Sequence, residues 1–128
     1  MIPPHKHHSP GFLALVNDAK TRIREIDVGA LRELLRDGRQ AVIIDTREES
    51  EWACGHLADA IHLSKGIIER DIEATVPDKD RLIVLYCGGG YRSALAADAL
   101  QKMGYRNVYS LAGGWRAILA AGLPVEQP

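Results

Sequence analysis

The chain has 128 residues, of which 46% are hydrophobic and 26% are charged, and its formal net charge is -1. This length and composition predict one globular domain, and the near-neutral charge argues against nucleic acid and against an anionic membrane surface as partners. The sequence has no apolar run near the roughly 18 residues of a membrane span, and residues 1–20 lack the pattern of a secretory signal. We therefore expect a cytoplasmic protein, in which the two cysteines are too few for a disulfide scaffold.

Hydrophobic spacing predicts five strands that alternate with helices. The predicted strands are 23–26, 41–45, 60–63, 81–86 and 107–111. Helices are predicted over residues 11–21, 49–54, 66–76 and 115–121. A further helix is predicted between Asp27 and Gly38, and another begins at residue 92 or 93 and ends at residue 103. Asp27 is the predicted N-cap of the second helix, and Ser64 is the predicted N-cap of the helix over 66–76. Such alternation is typical of an α/β fold, in which helices cover both faces of a parallel sheet. We place the domain at residues 23–128, after a tail and a short helix at 1–22.

The first ten residues contain three prolines and three histidines and predict no regular structure. His5, His7 and His8 could bind a metal loosely, but no further ligand spacing supports a closed site. We favour a solvated tail, and we expect neither a metal nor an organic cofactor.

The segment CGGGYR, directly after the most strand-like run, is the sharpest functional signal. Cys87 is followed by Gly88, Gly89, Gly90, Tyr91 and Arg92, and a helix is expected to begin at Arg92 or Ser93. Three glycines permit backbone angles that other residues avoid, so successive N–H groups can turn inward around the Cys87 sulfur. The helix N-terminus and the Arg92 guanidinium add positive charge, which favours a nucleophilic thiolate inside an anion cradle.

The alternative to this interpretation is a buried cysteine followed by an ordinary glycine-rich turn. Three glycines, an arginine and a helix start in sequence argue against that alternative. In open α/β sheets, sites lie at the carboxyl ends of the strands. Asp45 and Arg47 stand at the end of a second predicted strand, and we expect them to support the pocket, with a structural role favoured over a catalytic one. A nucleophilic sulfur in an anion cradle suits attack on an anionic sulfur donor such as thiosulfate, from which sulfite leaves.

The sequence resembles the rhodanese family over about residues 24–126. The family's first signature is similar to IIDTREESEWACGHLADAIHL, its active-site loop to YCGGGYRSA, and its closing segment to NVYSLAGGWRAILAAGLPVE. The signature positions are occupied by Asp45, Arg47, Glu51, Trp52, Gly55 and His56. The resemblance implies a five-stranded parallel sheet and a catalytic Cys87 that becomes a persulfide. It also implies that the loop from Gly88 to Arg92 binds the substrate. We expect Ser93 to support the site.

Three positions depart from the family pattern. Asp59 stands where the family usually has glycine, so we expect an altered turn away from the thiol. Ile118 replaces a common tryptophan, while Trp115 supplies an aromatic ring three residues earlier, and we expect repacking there. Glu51 stands where some members that use thiosulfate or mercaptopyruvate have a basic contact, although small single-domain members often have an acid. The physiological donor is therefore open.

Other reactive or aromatic side chains receive structural interpretations. We predict that His56 and His62 make local hydrogen bonds rather than act as bases. Cys54 is interpreted as a packed thiol rather than a partner that resolves a Cys87 persulfide. We also predict that Trp52 and Trp115 are packing residues rather than a binding platform.

The predicted activity is that of a sulfurtransferase, which moves sulfane sulfur from a donor such as thiosulfate to cyanide or a thiol. A persulfide relay or a binding module that acts on a protein partner stays open as an alternative. A phosphatase or arsenate reductase is less favoured, because those enzymes place five residues between cysteine and arginine, whereas four separate Cys87 from Arg92. The shorter loop encloses a smaller bowl, which suits a sulfur atom better than a phosphoryl group.

Overall fold

The computed structural model describes residues 8–38 and 40–127. Its strands are β1 (Arg24–Ile26), β2 (Val42–Asp45), β3 (His56–Leu57), β4 (Ile61–His62), β5 (Ile83–Tyr86), β6 (Val108–Leu111) and β7 (Val125–Glu126). Its helices are α1 (Pro10–Lys20), α2 (Val28–Arg36), α3 (Glu49–Ala53), α4 (Ile68–Thr75), α5 (Tyr91–Lys102) and α6 (Gly114–Ala121). The predictions for His5 and His7 concern residues outside the described range.

Five strands form one parallel sheet in the order β1-β6-β5-β2-β4. This arrangement confirms the predicted α/β fold with a five-stranded parallel sheet. The observed strands are shorter than the predicted ones, because the apolar pattern indicates burial rather than strand pairing. Ala41 and Leu63, for example, pack against the core although they lie outside the hydrogen-bonded strands.

The central strand β5 divides the core into two layers. Ile83 and Leu85 point to one face of the sheet, and Val84 and Tyr86 point to the other, so that all four are fully buried. The first layer is completed by residues of α4 and α5, namely Ile68, Ile72, Ala96, Ala97 and Leu100. The second layer is completed by Leu31 of α2 and by Ile118 of α6, which is 0% exposed. Helices on both faces therefore hold β5 and the residue that follows it in place.

A second, two-stranded sheet was not predicted from the sequence. The strands β3 and β7 pair antiparallel, with His56 opposite Glu126 and Leu57 opposite Val125. Strands of two residues carry no periodic pattern that a sequence could show. Their pairing brings the segment after α6 back across the segment after α3.

Four helix starts differ from the predicted ones, those of α1 and α6 by a single residue. Helix α4 begins at Ile68 without a side-chain cap, whereas Ser64 contributes its carbonyl oxygen to the Ile67 amide. Helix α5 begins at Tyr91, one or two residues earlier than predicted, because Gly90 takes a left-handed conformation and serves as the N-cap. Within residues 8–38 and 40–127, no helix is both long enough and apolar enough to cross a membrane.

Asp59 lies in the turn between β3 and β4, where its φ of 68° is the only positive value of a non-glycine residue in the described ranges. The left-handed region disfavours most side chains, and aspartate is among the few that tolerate it. Glycine adopts the same conformation without steric cost. The backbone at Asp59 therefore has a conformation that glycine would adopt without strain.

We expect Asp59→Ala to lower the free energy of unfolding by about 1 kcal/mol. Alanine has a Cβ atom, which disfavours the left-handed conformation, but it lacks the short polar side chain that helps aspartate to tolerate it. Asp59→Gly is the matched control and should not destabilise the protein. Thermal and urea unfolding of the three proteins measures the difference. Equal stability of the alanine and glycine variants would contradict a left-handed residue 59.

Candidate active site

The two sequence segments with polar strand ends meet at one edge of the sheet. Strands β2 and β5 are parallel neighbours, and Asp45 pairs with Tyr86 in their register. The Thr46 amide and hydroxyl both donate to the Tyr86 carbonyl, at 2.8 and 2.9 Å. Cys87 therefore begins its loop beside the residues that follow Asp45.

The Cys87 sulfur lies at the N-terminus of α5 and is surrounded by hydrogen-bond donors. The amide of Gly90 donates to Sγ at 3.1 Å, and the amide of Ser93 donates at 3.4 Å. The Ser93 hydroxyl lies 3.5 Å from Sγ and 2.8 Å from the hydroxyl of Ser110, and either oxygen of this second pair can be the donor. Cys87 is 1% exposed and both serines are 0% exposed, so these donors act with little competition from water.

Only one of the three loop glycines needs the conformational freedom that the sequence suggested. Gly90 has a φ of 100°, while Gly88 and Gly89 are outside the left-handed region. The prediction that all three glycines turn their amides inward through unusual angles was therefore wrong. The amides aimed at Sγ are those of Gly90 and Ser93, and the second of these belongs to the first turn of α5.

The N-terminus of α6 holds the loop from the other side. The Trp115 amide donates to the Cys87 carbonyl at 2.7 Å, and the Arg116 amide donates to the Gly88 carbonyl at 3.3 Å. Gly114, with a φ of 52°, packs directly against this backbone, and a Cβ there would collide with the Cys87 carbonyl oxygen. From the sequence, only a turn was predicted at Gly113 and Gly114. The close contact that requires glycine at position 114 is with the Cys87 loop, which is distant in sequence.

Asp45 and Arg47 form a buried ion pair that supports this edge. The Arg47 Nη2 lies 2.7 Å from the Asp45 Oδ2, and their side chains are 4% and 0% exposed. Arg47 also donates to the Gly55 carbonyl at 2.7 Å, and its guanidinium lies 4.6 Å from the Trp115 ring centroid. Asp45 bonds the backbone and side chain of Arg47, and Arg47 links this segment to Gly55. The structural role favoured for this pair stays a prediction.

Arg92 is paired with a carboxylate instead of supplying a free charge to the loop. Its Nη1 lies 2.8 Å from the Glu51 Oε1, and its Nη2 lies 3.2 Å from the Oε2. The hydrogen bond with Arg92 lowers the pKa of the Glu51 carboxyl, which burial partly opposes, and the same bond raises the pKa of Arg92. Arg92 therefore carries the expected positive charge, but Glu51 compensates it.

The Cys87 loop opens into a cavity of about 470 Å³. The cavity is lined by His8, Phe12, Arg47, Glu51, Cys87, Gly88, Gly89, Tyr91, Arg92, Trp115 and Arg116. Sequence reasoning missed His8, Phe12 and Arg116 as lining residues and treated Trp115 as packing only. It also missed Ser110, for which a serine inside an otherwise apolar strand was the available signal. His8 is half-buried here rather than solvated.

Other predicted residues lie outside the cavity. His56 and His62 make the predicted local bonds, from ring nitrogens to the carbonyls of Trp52 at 3.1 Å and Arg47 at 2.7 Å. The Trp52 ring stacks on both imidazoles, with centroid distances of 3.4 and 5.0 Å. Cys54 is exposed, so the prediction of a packed thiol was wrong. It ends the short helix α3, where its side chain has no core to enter.

Comparison with known proteins identifies close relatives. The family model described as Rhodanese-like domain matches residues 27–121. A sulfurtransferase from Allochromatium vinosum is 36% identical over 83% of this chain and 97% of its own length. The thiosulfate sulfurtransferase GlpE from Coxiella burnetii is 35% identical over 62% of this chain and 75% of its own length. In contrast, this chain spans only 28% of the length of a tRNA uridine(34) hydroxylase from Sodalis glossinidius, with 34% identity over 72% of this chain.

One solved structure matches nearly the whole chain. It is a protein of unknown function from Rhodopseudomonas palustris that is described as a possible tyrosine phosphatase. The TM-score is 0.84, the identity is 28%, and the match covers 97% of this chain and 100% of that one. The fold is therefore shared over nearly the full described length, the N-terminal helix included.

We expect Gly114→Ala to distort the Cys87 loop and to lower the free energy of unfolding by about 2 kcal/mol or more, because its Cβ meets the Cys87 carbonyl. Gly122→Ala is the matched control. Gly122 also has a left-handed φ, of 70°, but a Cβ there meets nothing within 4 Å, so about 1 kcal/mol is expected. Thermal unfolding and the rate of Cys87 alkylation report the two effects. A Gly114→Ala protein no less stable than Gly122→Ala would contradict the close approach.

Proposed function

This chain belongs to the rhodanese-like domain family, and we propose that it is a sulfurtransferase that moves sulfane sulfur from an anionic donor such as thiosulfate, through a persulfide on Cys87, to cyanide or a thiol. Relatives named as sulfurtransferases support the activity class. The single observation that carries the proposal is the position of the Cys87 sulfur, which accepts two main-chain hydrogen bonds at the base of an open cavity.

In the first step the Cys87 thiolate attacks the outer sulfur of thiosulfate. A new bond forms between Sγ and that sulfur, the sulfur–sulfur bond of the donor breaks, and its electron pair leaves with sulfite. The amides of Gly90 and Ser93 and the dipole of the 12-residue helix α5 stabilise negative charge at this position. The transferred sulfur arrives at the sulfane level, so the step requires no external oxidant or reductant.

In the second step the acceptor attacks the outer sulfur of the persulfide. With cyanide the products are thiocyanate and the Cys87 thiolate, and with a thiolate acceptor the products are a new persulfide and the same Cys87 thiolate. The cysteine is thus returned in its starting state. Exposure of the loop glycines Gly88 and Gly89 to the cavity gives the acceptor a path to the sulfur.

The charges around the cavity favour a donor of low negative charge. Arg47 is paired with Asp45, and Arg92 is paired with Glu51. Among the residues that the structure describes, Arg116 is the cavity-lining guanidinium without a carboxylate within 4.0 Å. Thiosulfate carries two negative charges, and the Glu51 carboxylate in the cavity wall disfavours its approach. Glu51 therefore limits how tightly thiosulfate binds.

A protein donor or acceptor of persulfide sulfur is the second candidate function. The same Cys87 chemistry serves a relay, and the proposed compartment, the cytoplasm, provides both protein thiols and small thiols. A phosphatase activity deserves a direct test, because one structural neighbour is described in those terms. The loop of four residues between Cys87 and Arg92 argues against it.

Incubation of the purified protein with thiosulfate should add the mass of one sulfur atom to Cys87, because the sulfur is a cradled nucleophile. Mass spectrometry of the intact protein and of its peptides checks this outcome. Cys87→Ser should abolish the gain, and Cys54→Ser, which removes the exposed thiol, should retain it. A gain that follows Cys54, or hydrolysis of para-nitrophenyl phosphate faster than sulfur transfer, would overturn the proposal.

We expect Glu51→Gln to lower the KM for thiosulfate about fivefold, which corresponds to roughly 1 kcal/mol. The change removes a carboxylate from the cavity wall and releases the Arg92 guanidinium. Glutamine can still accept the Glu48 amide at the start of α3, so the helix cap is kept.

Glu49→Gln is the matched control, since it removes one exposed carboxylate from the same helix outside the cavity. Steady-state kinetics over a range of thiosulfate concentrations measures KM for both variants. If the two variants change KM equally, the effect belongs to the general charge of the protein. If Glu51→Gln raises KM, the inhibitory role of Glu51 is wrong.

A further inference from the structure

The N-terminal helix forms one wall of the cavity, although it lies outside the segment that the family model matches. The match begins at residue 27, whereas α1 covers Pro10–Lys20. His8, just before α1, and Phe12, in its first turn, line the same cavity as Cys87. His8 and Phe12 therefore reach the cavity from outside the matched domain.

Helix α1 is held firmly against α5. Its residues Val16 and Ala19 are 0% and 1% exposed. Directly after the helix, Arg22 donates to Asp98 of α5 at 2.9 Å, and Gln101 of α5 donates to the Arg22 carbonyl at 2.9 Å. The wall therefore has a defined position relative to the Cys87 loop, from which α5 starts.

Three aromatic rings make up this wall. The His8 and Tyr91 centroids are 4.4 Å apart, those of His8 and Phe12 are 5.2 Å apart, and those of Phe12 and Tyr91 are 6.3 Å apart. All three pairs are tilted by 49° to 56°, which is a favourable packing for aromatic rings and leaves ring surface toward the cavity. Phe12 is the only phenylalanine in the chain.

The rest of the cavity lining combines aromatic surface with positive charge. Trp115 and Arg116 come from the start of α6, whose amides hold the Cys87 loop. The Arg116 side chain is exposed and lies near Gly89, since a Cβ at Gly89 would be 3.8 Å from Arg116 Nη1. An anionic group at the loop would therefore sit close to this guanidinium, and an apolar group attached to it could reach the three rings.

The cavity is also much larger than an inorganic donor requires. Thiosulfate has five heavy atoms, while a volume of about 470 Å³ falls in the range of roughly 300 to 1,000 Å³ that accommodates small organic ligands. A small ion would leave most of the aromatic surface in contact with water. An organic donor that covers this surface would gain binding energy from its apolar body.

We propose that His8 and Phe12 make the site selective for organic sulfane-sulfur anions of the thiosulfonate class, RSO₂S⁻, whose R group is aromatic. This inference rests on the proposed sulfurtransferase function and names its substrate class. The Cys87 thiolate takes the outer sulfur, the bond between the two sulfur atoms breaks, and the electron pair leaves with the sulfinate RSO₂⁻. The R group packs against the rings of His8, Phe12 and Tyr91, while the leaving sulfinate lies near Arg116.

The kinetic test compares benzenethiosulfonate with methanethiosulfonate as donors for the full chain. Because both donors carry one charge and the same reacting atoms, the ratio of their kcat/KM values reports the contribution of the aromatic group. We expect the wild-type protein to favour the benzene compound about tenfold or more, and Phe12→Ala to reduce that ratio about tenfold. His8→Ala, which precedes the helix and leaves its core residues intact, should reduce the ratio about threefold.

Leu15→Ala is the matched control, because Leu15 lies on the same helix and is 61% exposed. It should leave the ratio within about twofold of the wild-type value. A wild-type ratio near one would overturn the proposal, as would a Phe12→Ala protein that keeps the wild-type ratio or one whose ratio changes no more than that of Leu15→Ala.

A binding measurement separates this inference from the proposed function. Calorimetry with the Cys87→Ser protein, which lacks the nucleophile, should show benzenesulfinate to bind about tenfold more tightly than methanesulfinate, with the difference reduced by adding Phe12→Ala. If thiosulfate loads Cys87 but the two sulfinates bind equally, the sulfurtransferase proposal stands and the aromatic selectivity is wrong. If the sulfinates differ but no donor loads Cys87, the aromatic subsite exists and the assigned chemistry of both proposals is wrong.

Discussion

The main-chain clamp around Cys87 is the arrangement on which the rest of the site depends. On one side, the amides of Gly90 and Ser93 donate to the sulfur. On the other side, the carbonyls of Cys87 and Gly88 accept hydrogen bonds from the first residues of α6. The loop is thus fixed between the N-termini of two helices, and the dipole of α5 places positive potential at the Cys87 sulfur. Because the donors are backbone groups on buried elements, the proposed reaction would require no rearrangement of them.

The charged side chains around this clamp are paired, and this pairing determines what the cavity can attract. Asp45 holds Arg47 in a buried bond that also ties the loop to the Gly55 carbonyl. Glu51 holds Arg92 beside the cysteine loop. The donors that face the Cys87 sulfur directly are therefore main-chain amides, while the nearby Arg92 charge is compensated by Glu51. In the proposed reaction, such a site would act on the sulfur locally and would attract multiply charged ions only weakly at long range.

The N-terminal helix adds a feature that the domain alone does not have. It contributes aromatic surface to the cavity and is fixed by the contacts of Arg22 with α5. The cysteine loop and the aromatic wall meet at Tyr91, which is both the first residue of α5 and a member of the ring cluster. The cysteine loop thus belongs to the segment that the family model matches, whereas His8 and Phe12 belong to the segment before it.

The sequence by itself determined the α/β class, the five-stranded parallel sheet and the cysteine loop, because these features follow from local patterns. Strand β5 is a continuous apolar run, and the loop follows it without interruption. Only the tertiary structure decided that Glu51 neutralises Arg92, which lies 41 residues later, and that α6 contacts the loop through Gly114. It also decided that Cys54 is exposed and that His8 and Phe12 face the cavity. These outcomes depend on which helices pack beside the loop, and residues far apart in sequence leave no periodic signal of that packing.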